Sequence, residues 1–262
     1  MNRIDAAFKE LKRTRRKGFI AFLTAGYPSL AATEKLVLAL AHAGVDLIEL
    51  GVPFSDPMAD GPIIQEASQE ALRRGVTLQK IVRLVARLRR KTDIPLCLMT
   101  YYNPVFCFPE ARFIKDASCA GVDGIIIPDL PPEEGRGFMR AAALSGLAVI
   151  PFVSPTTSLR RAKFIASGAQ GFIYYVSLTG VTGPRQSLPK DLIQKIRVLK
   201  KITSKPICVG FGVSTLAQVR QLQNFAEGVI VGSAIVKKIK QYRKDARLPE
   251  RVAGFVKGLT GV

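Results

Sequence analysis

Apolar residues along the chain come in short runs, each followed by a Gly/Pro turn and a longer stretch of helical period. Runs of four to seven apolar residues bounded by turn residues read as buried strands, and the amphipathic stretches between them as helices. Eight strands are predicted: 19–24, 47–52, 96–101, 124–128, 148–153, 171–176, 207–210 and 228–231. Helices are predicted at 30–43, 78–91, 109–120, 132–145, 158–167, 189–203, 215–224 and 233–244, with another opened by Gly61-Pro62. Ser29 and Thr77 suit N-caps, and Gly44, Gly121, Gly146 and Gly168 suit helix stops. Eight βα units in this length predict an α/β fold, a (β/α)8 barrel occupying residues 1–262 as one domain. A helix within Met1–Lys17 is expected to cover its bottom, and one at Leu248–Leu259 to pack at the end. The first βα turn, TAGYPS, lacks the glycine spacing of a dinucleotide site.

In such barrels the chemistry lies on the loops after the strands, so strand ends are the informative positions. The stretch DLIELGVPFSDPMADGPIIQE at 46–66 is the richest. Strand side chains alternate, so Leu47, Glu49 and Gly51 share one face and Ile48 and Leu50 the other. An acid within an apolar strand is unfavourable unless paired or used. Glu49 on the strand and Asp60 on the following loop, which also carries Asp56, can converge as a pair on one pocket for acid–base work.

Phe172, Tyr174 and Val176 share a face of the sixth strand, although by spacing alone Tyr174 reads as a core aromatic. The loop after it, LTGVTG at 178–183, is suited to a lid. The seventh strand ends in Gly210-Phe211-Gly212 and the eighth in Gly232-Ser233-Ala234. Glycine turns that open helices can surround an anion with backbone N–H groups. With Gly183 they point to a phosphorylated substrate and a barrel of the phosphate-binding type. Phe22, Thr24, Tyr101, Tyr102 and Asn103 are expected around the mouth. Phe22, Leu98, Ile126 and Phe211 could form an apolar slot beside the acids, but on their residue types alone ordinary barrel filling is the favoured reading.

Composition narrows the alternatives. With 48% apolar and 23% charged residues, the chain is globular with a substantial core. Cys97, Cys107, Cys119 and Cys208 show neither metal spacing nor a disulfide framework, which predicts reduced thiols and a cytoplasmic setting. No signal peptide and no membrane span is legible. His42 is the sole histidine, so a histidine-based triad is excluded, and no cluster has metal-ligand spacing. The net charge of +19 is the exception to an ordinary composition. Basic runs at 12–17, 83–91 and 237–244 lack interleaved aromatics, and no nucleic-acid motif is present, so specific nucleic-acid binding is not expected.

Seven segments carry a family resemblance: FLTAGYP at 22–28, ELGVPFSDPMADGPIIQ at 49–65, MTYYNPV at 99–105, GIIIPDLP at 124–131, YYVSLTGVTG at 174–183, GFGVS at 210–214 and GSAIV at 232–236. In this order they resemble the tryptophan synthase alpha chain family. The resemblance implies reversible cleavage of indole-3-glycerol phosphate to indole and glyceraldehyde 3-phosphate, with no metal or cofactor in this chain. It implies catalytic roles for Glu49, Asp60 and Tyr174. Phe22, Leu98, Ile126, Thr182 and Phe211 would meet the substrate, and Gly183, Gly212, Gly232 and Ser233 its phosphate. It also implies a pyridoxal-phosphate-dependent beta chain in an αββα assembly, faced by Pro53, Asp56 and Asn103. A stand-alone lyase and a mainly allosteric barrel are the alternative readings of the same sequence.

Overall fold

The computed structural model describes residues 2–176, 192–210 and 212–261. The chain opens with α1 (Arg3–Arg13), β1 (Gly18–Thr24), α2 (Leu30–Ala41), β2 (Leu47–Gly51), α3 (Pro62–Arg73) and α4 (Leu78–Leu88). It continues through β3 (Leu96–Met99), α5 (Tyr102–Phe106), α6 (Glu110–Ala120), β4 (Gly124–Ile126) and α7 (Arg136–Leu144). Then come β5 (Ala148–Val149), β6 (Phe152–Val153), α8 (Leu159–Ser167), β7 (Ile173–Val176) and α9 (Leu192–Lys200). The last elements are β8 (Ile207–Gly210), α10 (Leu216–Gln223), β9 (Gly228–Val231), α11 (Ser233–Tyr242) and α12 (Leu248–Thr260).

All pairings are parallel, in the order β5-β4-β3-β2-β1-β9-β8-β7-β6. The two ends of that order are joined in the chain by Ile150 and Pro151 alone, so the sheet curls back on itself as a barrel. The predicted fifth strand is thus two short strands. Ile150 N–H donates to Ile125 C=O at 2.9 Å, whereas Pro151 has no N–H and accepts from Tyr174 N–H at 3.0 Å. The chain changes ladder partner at the one residue that cannot donate. Strands three and four end earlier than predicted, at Met99 and Ile126.

Helix starts follow their capping chemistry. Ser29 Oγ accepts from Ala32 N–H at 3.0 Å, and Thr77 Oγ1 from Lys80 N–H at 3.3 Å. The helix predicted from Pro132 begins only at Arg136, because Glu134 and Gly135 N–H groups turn back to Pro131 C=O. The short α5 was not predicted; five residues containing a proline carry little periodic signal.

The N-terminal helix covers the barrel bottom. Ile4, wholly buried, reaches the inner glycines of β4 and of the turn before β7: its side chain lies 2.8 Å from where a Gly124 Cβ would stand and 3.2 Å from a Gly171 Cβ. Phe8 packs on Phe172 with ring centroids 5.7 Å apart. Asp123 ties this end together, accepting from Arg3 at 3.2 Å, Arg89 at 2.9 Å and Leu96 N–H at 2.9 Å. Among the described residues no helix is long and apolar enough to cross a membrane.

Candidate active site

Strand register decides which side chains enter the barrel. Phe22, Glu49, Cys97 and Gly124 are aligned across β1 to β4, and Thr24, Gly51, Met99 and Ile126 form the next inward row. Glu49 is fully buried, and neither carboxyl oxygen has a hydrogen-bond partner among the described residues. Burial pushes its pKa from 4.5 up to about 8. Taking an isolated carboxylate out of water costs several kcal/mol, on the order of what protonation avoids. Cys97 and Cys208, both buried, have thiols raised well above the usual value, by burial first and then by the Glu49 charge.

Asp60 sits on the loop between β2 and α3, 8% exposed. Tyr101 O–H donates to its Oδ2 at 3.3 Å, and the same hydroxyl accepts from Ala59 N–H at 2.9 Å. Gln65 Nε2 donates to Asp60 C=O at 2.9 Å, and the Phe54 ring stacks on Tyr101 at 5.0 Å. Burial raises the Asp60 pKa to about 6, with the Tyr101 hydrogen bond opposing the rise. Sequence reasoning put Tyr101 at the mouth without a task. An aromatic hydroxyl at the end of the neighbouring strand was the available signal.

Tyr174 points inward from β7 and packs on Phe152 with centroids 4.6 Å apart. Its hydroxyl lies 2.6 Å from where a Gly210 Cβ would stand, so the ring occupies space that only glycine leaves. Its phenol is held well above the usual range by burial first, then by the fields of Glu49 and Asp60. The three groups therefore converge on one site. Phe152 belongs to the same inner wall; its place depends on the break at Pro151, which no periodicity in the sequence announces.

The apolar slot is partly as expected. Phe22 faces inward, its ring 2.4 Å from where a Gly51 Cβ would stand, and Ile126 shares the row of Met99. Leu98 does not join them. It is aligned with Leu50 and Ile125 on the outer face, and Met99 takes the inward position. The run PLCLM is apolar on both faces, so alternation could not set its phase. Gly212 adopts a left-handed φ of +76°, a conformation suited to glycine. Gly232 and Ser233 open α11, whose N-terminus has no side-chain cap bond among the described residues. Thr182, Gly183 and Phe211, with the predicted lid, lie outside the described residues. Asp56 and Asn103 are exposed, whereas Pro53 is buried within its own chain.

Two carboxyl groups thus share one site with different protonation. Near neutral pH Glu49 is mainly the neutral acid and Asp60 mainly the anion. A parallel barrel with this pair at its mouth and glycine turns after its last two strands is a phosphate-binding barrel built for proton transfer on an anionic substrate. The sequence profile of the tryptophan synthase alpha chain matches residues 8–257. The chain is 49% identical over 259 residues to the tryptophan synthase alpha chain of Geotalea uraniireducens, covering 99% of this chain and 97% of that one. To that of Thermoanaerobacter sp. strain X514 it is 45% identical, covering both chains fully. The solved tryptophan synthase subunit alpha of Legionella pneumophila superposes with a TM-score of 0.92 at 35% identity, over 100% of this chain and 98% of that chain. A chain of the tryptophan synthase complex of Pyrococcus furiosus does so with 0.86 at 37% identity, over 94% and 98%.

The chain belongs to the tryptophan synthase alpha chain family. Its reaction is the cleavage of indole-3-glycerol phosphate in tryptophan biosynthesis.

Proposed function

We propose that Glu49 is the acid–base of this cleavage and Asp60 its electrostatic partner. The neutral Glu49 carboxyl gives its proton to the substituted ring carbon of the indole. Asp60, ionised, accepts from the indole N–H and balances the positive charge that protonation creates on the ring. Glu49, now a carboxylate, removes the proton of the glycerol hydroxyl. The electron pair of that O–H forms the aldehyde, the carbon–carbon bond breaks, and its electrons return to the ring. One group takes and gives one proton, so the step is balanced. Tyr174 supports the geometry of the pair, while Phe22, Met99 and Ile126 enclose the ring. Gly212, Gly232 and Ser233 offer N–H groups to the phosphate, with Gly183, Thr182 and Phe211 assigned to the same site by resemblance alone.

The observation that carries this reading is the burial of Glu49, with both oxygens unpartnered among the described residues. Glu49→Gln should lower indole release by on the order of a thousandfold or more while glycerol phosphate binding persists. Loss of both together would assign Glu49 to structure.

We further infer that a beta chain docks at the barrel mouth and receives the indole, in an αββα assembly with pyridoxal phosphate on the beta chain. Met58 and Phe106, 81% and 66% exposed, stand near the exposed Asp56 and Asn103 and support an apolar contact there. A cytoplasmic setting fits four free cysteines. Indole release by the chain alone, compared with release in excess beta chain, tests the pairing. Equal rates would overturn it.

A further inference from the structure

We propose that one flank of the barrel, formed by α4, α2, α12 and α11, binds nucleic acid through its backbone phosphates without reading bases. The four helices are contiguous: α12 packs on both α11 and α2, and α2 packs on α4. Residues 78–91 contain six Lys or Arg and no acid; residues 233–261 contain eight and two acids; residues 30–41 contain one of each. These three segments thus carry 12 of the 19 net positive charges. Two of the segments packed on it, residues 62–74 and 110–120, hold two acids and two bases each, and in the first of them Glu66 pairs with Lys240 and Glu70 with Arg243.

Internal pairing leaves much of this charge free. Glu34 holds Arg87 and Lys91, Asp245 holds Arg251, and Arg89 turns inward to Asp123. Among the described residues, Arg83, Arg90, Lys237, Lys244 and Lys257 are exposed and in no ion pair. Charges spread over several helix faces match a polymer of phosphates better than a single small anion.

Two observations separate nucleic acid from an anionic membrane and exclude base recognition. The large exposed apolar residues (Met58, Phe106, Leu144, Leu159, Phe164 and Val198) all lie off this flank, so nothing on it would insert into lipid. Its aromatic rings are already occupied. Lys238 lies 6.0 Å from the Tyr242 centroid and 5.3 Å from that of Phe255, and Arg251 lies 5.9 Å from Tyr242. No open platform remains for stacking a base, which leaves phosphate contact. The flank is the side wall of the barrel and meets the site only at the first turn of α11, at Gly232 and Ser233; none of the five free cations lies in that turn, so occupancy is compatible with turnover.

The test is binding of a fluorescent poly(U) RNA to the full chain across a salt series. Contact with about five phosphates gives a slope of log affinity against log salt near −3.5. Replacing Arg83, Arg90, Lys237, Lys244 and Lys257 by Gln should weaken binding about tenfold or more at low salt and flatten that slope, with indole release unchanged. A control replaces Lys9, Lys12, Arg160, Lys163 and Lys201 by Gln, giving the same net charge, and should bind nearly as wild type. Equal weakening by both sets would overturn the assignment to this flank, as would salt-insensitive binding of the wild type. Binding of phosphatidylserine vesicles without binding of RNA would overturn the choice of partner.

Discussion

Tyr101 and Asp60, forty-one residues apart in the chain, meet through a 3.3 Å hydrogen bond from the phenol to Oδ2. The Tyr101 hydroxyl also accepts from Ala59 N–H, so one group just after β3 both orients the carboxylate and holds its loop.

Tyr101→Phe removes the contact that opposes the rise of the Asp60 pKa, and the pKa moves further up. Asp60 then ionises at higher pH, so the acid limb of the pH–rate profile should shift upward from about 6. The Ala59 N–H also loses its acceptor, and the combined loss should lower kcat/KM about tenfold, a change of about 1.4 kcal/mol. A pH profile that keeps its acid limb would separate Tyr101 from Asp60.

Glu49 links stability to pH. Its folded pKa of about 8 lies above the ordinary 4.5, so the folded state holds the proton more tightly than the unfolded chain. Stability is therefore greatest below pH 4.5 as far as this group is concerned, falls as pH rises to about 8, and is level beyond. The limiting slope is about 1.4 kcal/mol per pH unit. Urea unfolding of Glu49→Gln should lack this decline and be more stable than the wild type at pH 8.5 by roughly a few kcal/mol.

Leu98 and Met99 provide a test of register. Leu98→Ala leaves a cavity between sheet and helices, so it should destabilise by about 2–5 kcal/mol while the folded enzyme keeps its kcat/KM within a few-fold. Met99→Ala removes part of the wall facing the indole and should raise KM about tenfold, with the smaller loss of stability. Paired thermal melts and steady-state kinetics would expose the opposite ordering.

At the barrel bottom Asp123→Ala strips Arg89, Arg3 and the Leu96 N–H of their acceptor at once. Arg89 is then a half-buried cation with carbonyl partners only. Unfolding free energy should fall by about 3–5 kcal/mol. Since the network lies at the end opposite the site, kcat at a temperature well below the melt should stay near the wild-type value.

What was legible in the sequence rested on local rules. Alternation of short apolar runs with amphipathic stretches determined the βα rhythm, and Ser29 and Thr77 marked helix starts because their hydroxyls satisfy amides three residues on. Glu49 was conspicuous because an acid in an apolar strand is rare without a partner or a task, and Asp60 because it follows closely on the next loop. Tertiary structure alone decided the rest. Leu98 and Met99 are both apolar and both buried, and only pairing with β2 and β4 sets which of them looks inward. Pro151 splits the fifth strand because the barrel must pass its ladder from β4 to β7, a requirement that exists only once the sheet closes. Tyr101 reaches Asp60, and Tyr174 settles over Gly210, through space rather than along the chain. A residue's own chemistry is local, but the face it presents and the groups it meets depend on long-range strand pairing.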